Sequence, residues 1–470
     1  MKNKISPRQL PAKERINNFQ EVVFGYNKEQ AVSEAKRCLQ CKDPKCISGC
    51  PVGINIKKFI SQIAASDFKA AFYTLKEKNN FPSICGRVCP AEYQCRNACV
   101  FTKQGANCAA EDSINIHFLE RFVGDYGIKH QLQLPTQVNP KLTKYQVAVV
   151  GSGPAGLCIA GELARVEIKV TIFESLHQSG GVLRYGIPSF RLPRDILDYE
   201  INYLKNIGVE IIQNTVVGRT KTLEELKKEF SAVFLGLGAG VPSFLGIKGE
   251  NLANVYSANE FLTRVNLMQA DKFPQYQTPV NIGKNIVVIG GGNTAIDSAR
   301  VALRMQAING IKPSVSVLYR RTEQEMPARR LEIIHAKEEG IDFKFLTQPI
   351  KLISDKQGFV KEVENLNCEL GKPDSSGRRR PIAQEKSNFK LKADLAIVAI
   401  GLRPNRLLTS LTPSLETDKW GDIVVNEKME TSLPDIYAGG DIVGGEGTII
   451  EAFGMAKKAA QSIIEKFLDI

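Results

Sequence analysis

The chain of 470 residues carries 62 Lys and Arg against 50 Asp and Glu, is 43% hydrophobic, and contains 38 Gly, 22 Pro and 11 Cys. Its length suggests about three domains, and this ordinary composition excludes a collagen, a coiled coil and wholesale disorder. The longest uncharged stretch, Phe230 to Ile247, is interrupted by Gly236, Gly238, Gly240, Pro242 and Gly246, which suits a strand and loop better than a membrane helix. The N-terminal MKNKISPRQLPAKER has charge but no apolar core, so the expected compartment is the reducing cytoplasm.

Residues 1–144 hold 22 Lys and Arg against 12 Asp and Glu, a formal +10 out of the chain's +12, and nine of the 11 cysteines. The spacing is Cys38-x2-Cys41-x4-Cys46-x3-Cys50-Pro51, then Cys85-x3-Cys89-Pro90-x4-Cys95-x3-Cys99, with Cys108 beyond. Close thiolates in a reducing compartment point to metal rather than disulfides. Three tightly spaced cysteines followed by Cys-Pro follow the ferredoxin pattern, in which the fourth cysteine serves the other cluster; zinc knuckles usually pair across a longer gap. Two 4Fe-4S clusters with crossed ligation are therefore expected. Between the groups, Phe59, Ile60, Ile63, Ala64, Phe68, Ala71, Phe72 and Leu75 recur at helical spacing, which predicts a packed helix pair in a small, metal-organised domain.

Tyr145 to Val150 reads as a buried strand running into Gly151-Ser-Gly153-Pro154-Ala155-Gly156 and a helical run, and a second strand, Lys169 to Phe173, ends at Glu174. Gly151 suits the tight turn, Gly153 the close approach to a pyrophosphate, Gly156 the helix–strand packing, and Glu174 the ribose hydroxyls. The pattern recurs at Asn285 to Ile289, Gly290-Gly291-Gly292-Asn293-Thr294-Ala295 and the strand Val315 to Tyr319, which ends in Arg320-Arg321 instead of an acid. Guanidinium groups there suit a 2′-phosphate, so NADPH is favoured over NADH. Asp394 to Ile400 reads as a further strand. Tyr437-Ala-Gly439-Gly440-Asp441, followed by a helix from Thr448 to Lys466, resembles the returning segment of two-dinucleotide flavoproteins, where the Asp meets the FAD ribityl chain. The helix N-terminus can stabilise an anionic reduced flavin.

With the cluster run and both fingerprints in order, the sequence resembles the small (beta) subunit family of NADPH-dependent glutamate synthase. That family includes the large subunit of NADH-dependent ferredoxin:NADP oxidoreductase (sulfide dehydrogenase) and the N-terminal half of dihydropyrimidine dehydrogenase. The resemblance rests on AKRCLQCKDPKCISGCPV, ICGRVCPAEYQC, GGVLRYGIPSFRLP, GENLANVYSANEFLTRVNLM, VVIGGGNTAIDSAR and YRRTEQEMPARR. It implies that Cys38, Cys41, Cys46 and Cys99 hold one cluster and Cys50, Cys89 and Cys95 the other. Glu120, in the predicted helix INIHFLERF, would be the eighth ligand, Cys108 a competitor for that place, and Cys85 a packed bystander. It also implies Gly181 and Arg184 of GGVLRYGIPSFRLP at the FAD.

The expected fold is α/β: a helical double-cluster domain over 1–144, an FAD domain over 145–282 and 401–470, and an NADPH domain inserted over 283–400. The expected function is an oxidoreductase that takes hydride from NADPH to FAD by proximity and orientation, without an assigned catalytic side chain. Electrons then leave through the clusters to a partner in a hetero-oligomer. By resemblance that partner is the large glutamate synthase subunit, with a ferredoxin-reductase partner subunit of an electron-bifurcating enzyme as the alternative. No CxxC or CxxxxC lies in the dinucleotide domains, which argues against a dithiol reductase. The pI near 9.1 also allows a zinc-stapled nucleic-acid-binding protein, but two complete dinucleotide sites weigh against it, and neither nucleic acid nor membrane is expected as a partner.

Overall fold

The computed structural model describes residues 4–102, 110–374, 377–445 and 447–469. Its N-terminal helices are α1 (Lys28–Ala35), α2 (Ile56–Ala64), α3 (Phe68–Lys76), α4 (Pro82–Val88) and α5 (Ile116–Lys129). Asn27, Asn55 and Asp67 accept backbone N–H bonds at the starts of α1, α2 and α3, satisfying donors that a helix leaves unpaired. Phe59, Ile60 and Ile63 of α2 pack with Phe68, Ala71, Phe72 and Leu75 of α3 and with Leu119 and Val123 of α5, as the periodicity predicts.

Helices α4 and α5 cross backbone to backbone. A Cβ at Gly86 would stand 2.5 Å from Arg121 N, and one at Gly124 would stand 2.5 Å from Ser83 N. Helix α4 is buried on all sides, and Phe81, Ile84, Cys85 and Val88 join the core of the following unit. The cysteine segment thus has a core of its own among α1, α2, α3 and α5 and joins the following unit through α4. One face of this seven-residue helix packs on α5, and Ile84, Cys85 and Val88 lie against the flavin-type unit.

That unit contains β1 (Gln146–Val150), α6 (Pro154–Ala164), β2 (Lys169–Phe173), α7 (Arg194–Asn206), β3 (Glu210–Ile212) and β4 (Ala232–Leu235). The next holds β5 (Val255–Ser257), α8 (Ala258–Asn266), β6 (Ile286–Ile289), α9 (Asn293–Ile308), β7 (Val315–Tyr319), α10 (Arg330–Glu338), β8 (Asp342–Phe345) and β9 (Leu395–Val398). The chain returns through β10 (Ile436–Ala438) and α11 (Ile449–Phe467).

The first sheet has the order β10-β4-β1-β2-β3 and the second β5-β9-β6-β7-β8, and every pairing in both is parallel. The strands β4, β6 and β9 are apolar and buried because helices cover both faces. The second sheet takes its edge strand β5 from ahead of the expected boundary at residue 283. Three half-buried residues, Val255, Tyr256 and Ser257, give no strand periodicity to read. Between β8 and β9 an antiparallel excursion (Thr347–Ser354, Val360–Pro373, Arg379–Ala383, Phe389–Lys392) extends the second unit. Among the described residues no helix is long and apolar enough to cross a membrane.

Candidate dinucleotide and iron–sulfur sites

Strand β1 delivers Gly151 at φ +96°, where an added Cβ would collide with Gly236 O at 2.6 Å; a Cβ at Gly156 would lie 1.9 Å from Gly151 O. These glycines let the turn close and let α6 start against the strand. Gly153 differs: a Cβ there meets nothing within 4 Å, so it faces open space on the side where a phosphate would approach. Around this turn the fold gathers the distant segments expected at FAD. A Cβ at Gly181 would stand 2.6 Å from Gly153 Cα, and one at Gly440 would stand 3.1 Å from Ala155 Cβ.

Glu174, at the end of β2, is buried; its Oε2 accepts from Ser152 N at 2.8 Å and its Oε1 from Leu176 N at 2.8 Å. Ser152 Oγ also donates to Glu174 and accepts from Gly180 N at 3.0 Å. Ser152 is the member of this constellation that sequence reasoning passed over, although it stands inside the glycine motif. Arg184 donates to Ser179 O at 2.6 Å and pairs with Asp198. Asp441 follows Gly440, and burial together with the Glu451 charge pushes its carboxyl up. Thr448 caps α11 in a reciprocal box with Glu451.

The second turn repeats the first. A Cβ at Gly290 would meet Ala399 O at 2.1 Å, one at Gly291 would meet the Tyr319 ring at 2.5 Å, and one at Gly292 would meet nothing within 4 Å. Ala295 is buried, Thr294 is exposed, and Asn293 opens α9. The two arginines after β7 part company. Arg320 is exposed, whereas Arg321 is 5% exposed, pairs with Asp374 at 2.7 Å and donates to Arg379 O at 2.7 Å.

In the helical unit Cys38 and Cys46 each lie close enough to Cys41 and Cys99 to feel their charge. Cys50, Cys85, Cys89, Cys95 and Glu120 form a second such set, with Cys85 hydrogen-bonded to Cys89. Burial pushes Cys46 up to about 12 and Cys50 up to about 11, with neighbouring thiols adding to it. Crowded thiolates of this kind need a cationic core to stay ionised, so the donors fit iron–sulfur chemistry. Among the described residues no three donors converge at the spacing of one shared ion; a cubane instead offers a separate iron to each ligand.

Glu120, on α5, is buried, at 6% exposed. Burial pushes it up to about 8, and Asn79 Nδ2 donates to its Oε1 at 2.6 Å. Asn79 was not foreseen, since an Asn ahead of a helix reads as an ordinary cap. Cys85 is buried, with its thiol 3.7 Å from Asn79 Oδ1. Cys108 lies outside the described residues. The two units touch at Pro51, beside Cys50, whose O would lie 3.1 Å from a Cβ added at Gly454 of α11.

This arrangement defines a flavin- and NAD(P)-binding iron–sulfur oxidoreductase, and the family comparisons agree. Residues 15–132 match the dihydropyrimidine dehydrogenase domain II, 4Fe-4S cluster family, and residues 145–461 match the pyridine nucleotide-disulphide oxidoreductase family. The chain belongs to the glutamate synthase small-subunit-like family. It is 33% identical to the glutamate synthase [NADPH] small chain of Escherichia coli, over 98% of this chain and 96% of the relative. It is also 33% identical to the NADPH-Fe(3+) oxidoreductase subunit beta of Geobacter sulfurreducens, over 98% of this chain and 69% of the relative. The solved structure of Mycobacterium tuberculosis FprA in complex with NADPH shares the fold of 69% of this chain and 85% of its own, at a TM-score of 0.58 and 22% identity.

Proposed function

We propose that this chain takes hydride from NADPH and hands electrons through two 4Fe-4S clusters to the glutamate-forming large subunit of glutamate synthase, as part of a cytoplasmic hetero-oligomer. Bound FAD would convert the hydride pair into single electrons, and the bound clusters would carry them. The open faces at Gly153 and Gly292 would admit the two pyrophosphates. The exposed Arg320 would meet the 2′-phosphate, and Asp441 the ribityl chain. Cys38, Cys41, Cys46 and Cys99 would hold one cluster, and Cys50, Cys89, Cys95 and Glu120 the other. The observation that carries this reading is the seating of Pro51 against Gly454, which brings the Cys50 segment against the helix that follows Gly440-Asp441. Mutual coverage with a glutamate synthase small chain along nearly its whole length supports the partner. Anaerobic affinity capture from the native cell tests it: a copurifying glutaminase-containing chain is expected, and a ferredoxin-reductase-type subunit in its place would overturn the partner.

A further inference from the structure

The 326–330 loop, within YRRTEQEMPARR, touches two sites at once. On one side Ala328 N donates to Gly291 O at 3.3 Å and Arg329 N to Asn293 Oδ1 at 2.9 Å, so the loop hangs on the second glycine turn. On the other side Arg329 Nη1 donates to Arg87 O at 2.6 Å, Arg330 N to Glu92 Oε1 at 3.0 Å, and Tyr93 OH to Ala328 O at 3.2 Å. Arg87 precedes Cys89 by two residues, and Glu92 and Tyr93 lie between Cys89 and Cys95.

Arg329 is 2% exposed and its Nε has no hydrogen-bond partner. The carboxylate paired with it, Glu332, is 3.9 Å away and is already shared with Arg191 and Arg300. A buried guanidinium with so little counter-charge calls for an anion nearby, and an iron–sulfur centre held by three thiolates and a carboxylate is one.

We propose that the 326–330 loop couples the nucleotide turn to the Cys50, Cys89, Cys95 and Glu120 centre, with Arg329 as the positioning cation that raises that centre's reduction potential. Each one-electron reduction adds a negative charge beside the guanidinium, so the reduced form gains more from it than the oxidised form. Nucleotide filling the turn at Gly290–Asn293 fixes the backbone on which Arg329 hangs, and the potential changes with occupancy.

The inference rests on the cluster assignment proposed above, and the test separates the two. The holoenzyme is titrated anaerobically with dithionite and followed by electron paramagnetic resonance, with and without saturating NADP+, as wild type, Arg329→Gln and Arg329→Lys. In Arg329→Gln the centre's one-electron reduction equilibrium is expected to fall about tenfold, 59 mV for one electron, while the other cluster and the flavin keep theirs. Arg329→Lys retains most of the wild-type value. NADP+ shifts the centre in wild type and shifts it less in Arg329→Gln. An unchanged potential in an iron-replete Arg329→Gln enzyme overturns the inference but leaves the cluster reading standing. So does a wild-type potential blind to NADP+, a measurement that decides even if the variant fails to fold. Wild-type protein without a second paramagnetic centre would overturn the cluster reading itself.

Discussion

Arg320 and Arg321 are adjacent in sequence, yet only Arg320 has its guanidinium exposed beside the strand end; Arg321 is spent on Asp374 and the Arg379 carbonyl. A charge-assisted contact to a 2′-phosphate is worth about 1.5 to 3 kcal/mol. Arg320→Ala should therefore lower the NADPH to NADH ratio of kcat/KM by about 10- to 100-fold. Arg321→Ala should leave that ratio near its wild-type value and lower the thermal midpoint instead. Steady-state kinetics with both nucleotides decides, and an unaltered ratio in Arg320→Ala sinks the assignment. Glu120 supplies the matching test in the helical unit. A carboxylate is a harder donor than thiolate, so Glu120→Ala should make one iron labile or alter the second centre's spectrum, whereas Cys108→Ala should leave iron content and spectra nearly unchanged. Cluster loss confined to Cys108→Ala would reverse the choice of ligand.

Helix α4 carries Cys85 and leads into Cys89, and α5 carries Glu120; their relative placement depends on the contacts at Gly86 and Gly124. Gly86→Ala would drive a methyl into the α5 backbone, and overpacking of this kind costs about 1 to 3 kcal/mol. The expected result is lost iron with flavin retained; full iron content would show that the crossing does not set the ligand positions. Helices α9 and α10 are joined differently, through the buried Arg300 and Arg304 on Glu339, the last of which caps α10. Burial pushes the Glu339 carboxyl up, but the two guanidiniums outweigh it and hold it at about 2. A depressed carboxylate contributes stability that is complete above its unfolded value of about 4.3 and is lost as pH falls toward the folded value. The thermal midpoint should therefore drop between about pH 4 and 2. Glu339→Gln should flatten that segment and lower the midpoint at neutral pH; an unchanged acid limb would remove the pair from the account. Elements of this unit differ in legibility. The runs VSVLY of β7 and KVTIF of β2 are readable at their observed bounds, because strands covered by helices on both faces are mostly apolar. The antiparallel strand Val360–Pro373 alternates buried and exposed positions through Lys361, Glu362 and Glu364, and its charged face hides it among loop-like sequence.

Motifs are local and announce chemistry; the joining of units is not local and stays hidden in the sequence. The glycine turns and cysteine runs are local motifs, whereas the composition shift near residue 144, which falls between the two family matches, gives no sign of the core that α4 shares across it. Phe81, Ile84 and Val88 share a core with α6 and α11, and the Phe81 ring lies 5.4 Å from that of Phe453. Lys76 of α3 is paired, 3.6 Å away, with the buried Glu200 of α7. Removing residues 1–144 would uncover three large apolar contacts worth about 1.5 to 3 kcal/mol each and take the Lys76 cation away from Glu200. Together these approach the whole stability of an ordinary domain, about 5 to 15 kcal/mol. A fragment covering 145–470 should aggregate or purify without flavin. Cys50→Ser, by contrast, removes one ligand and leaves every apolar contact in place, so that protein should remain soluble, keep its flavin and still be bleached by NADPH, while transfer to the partner falls. Gel filtration and flavin absorbance on the two proteins make the comparison: a soluble, flavin-loaded 145–470 fragment would show that the shared core is dispensable, and loss of flavin from folded Cys50→Ser would show that the metal centre itself, rather than the packing around it, holds the flavin unit together.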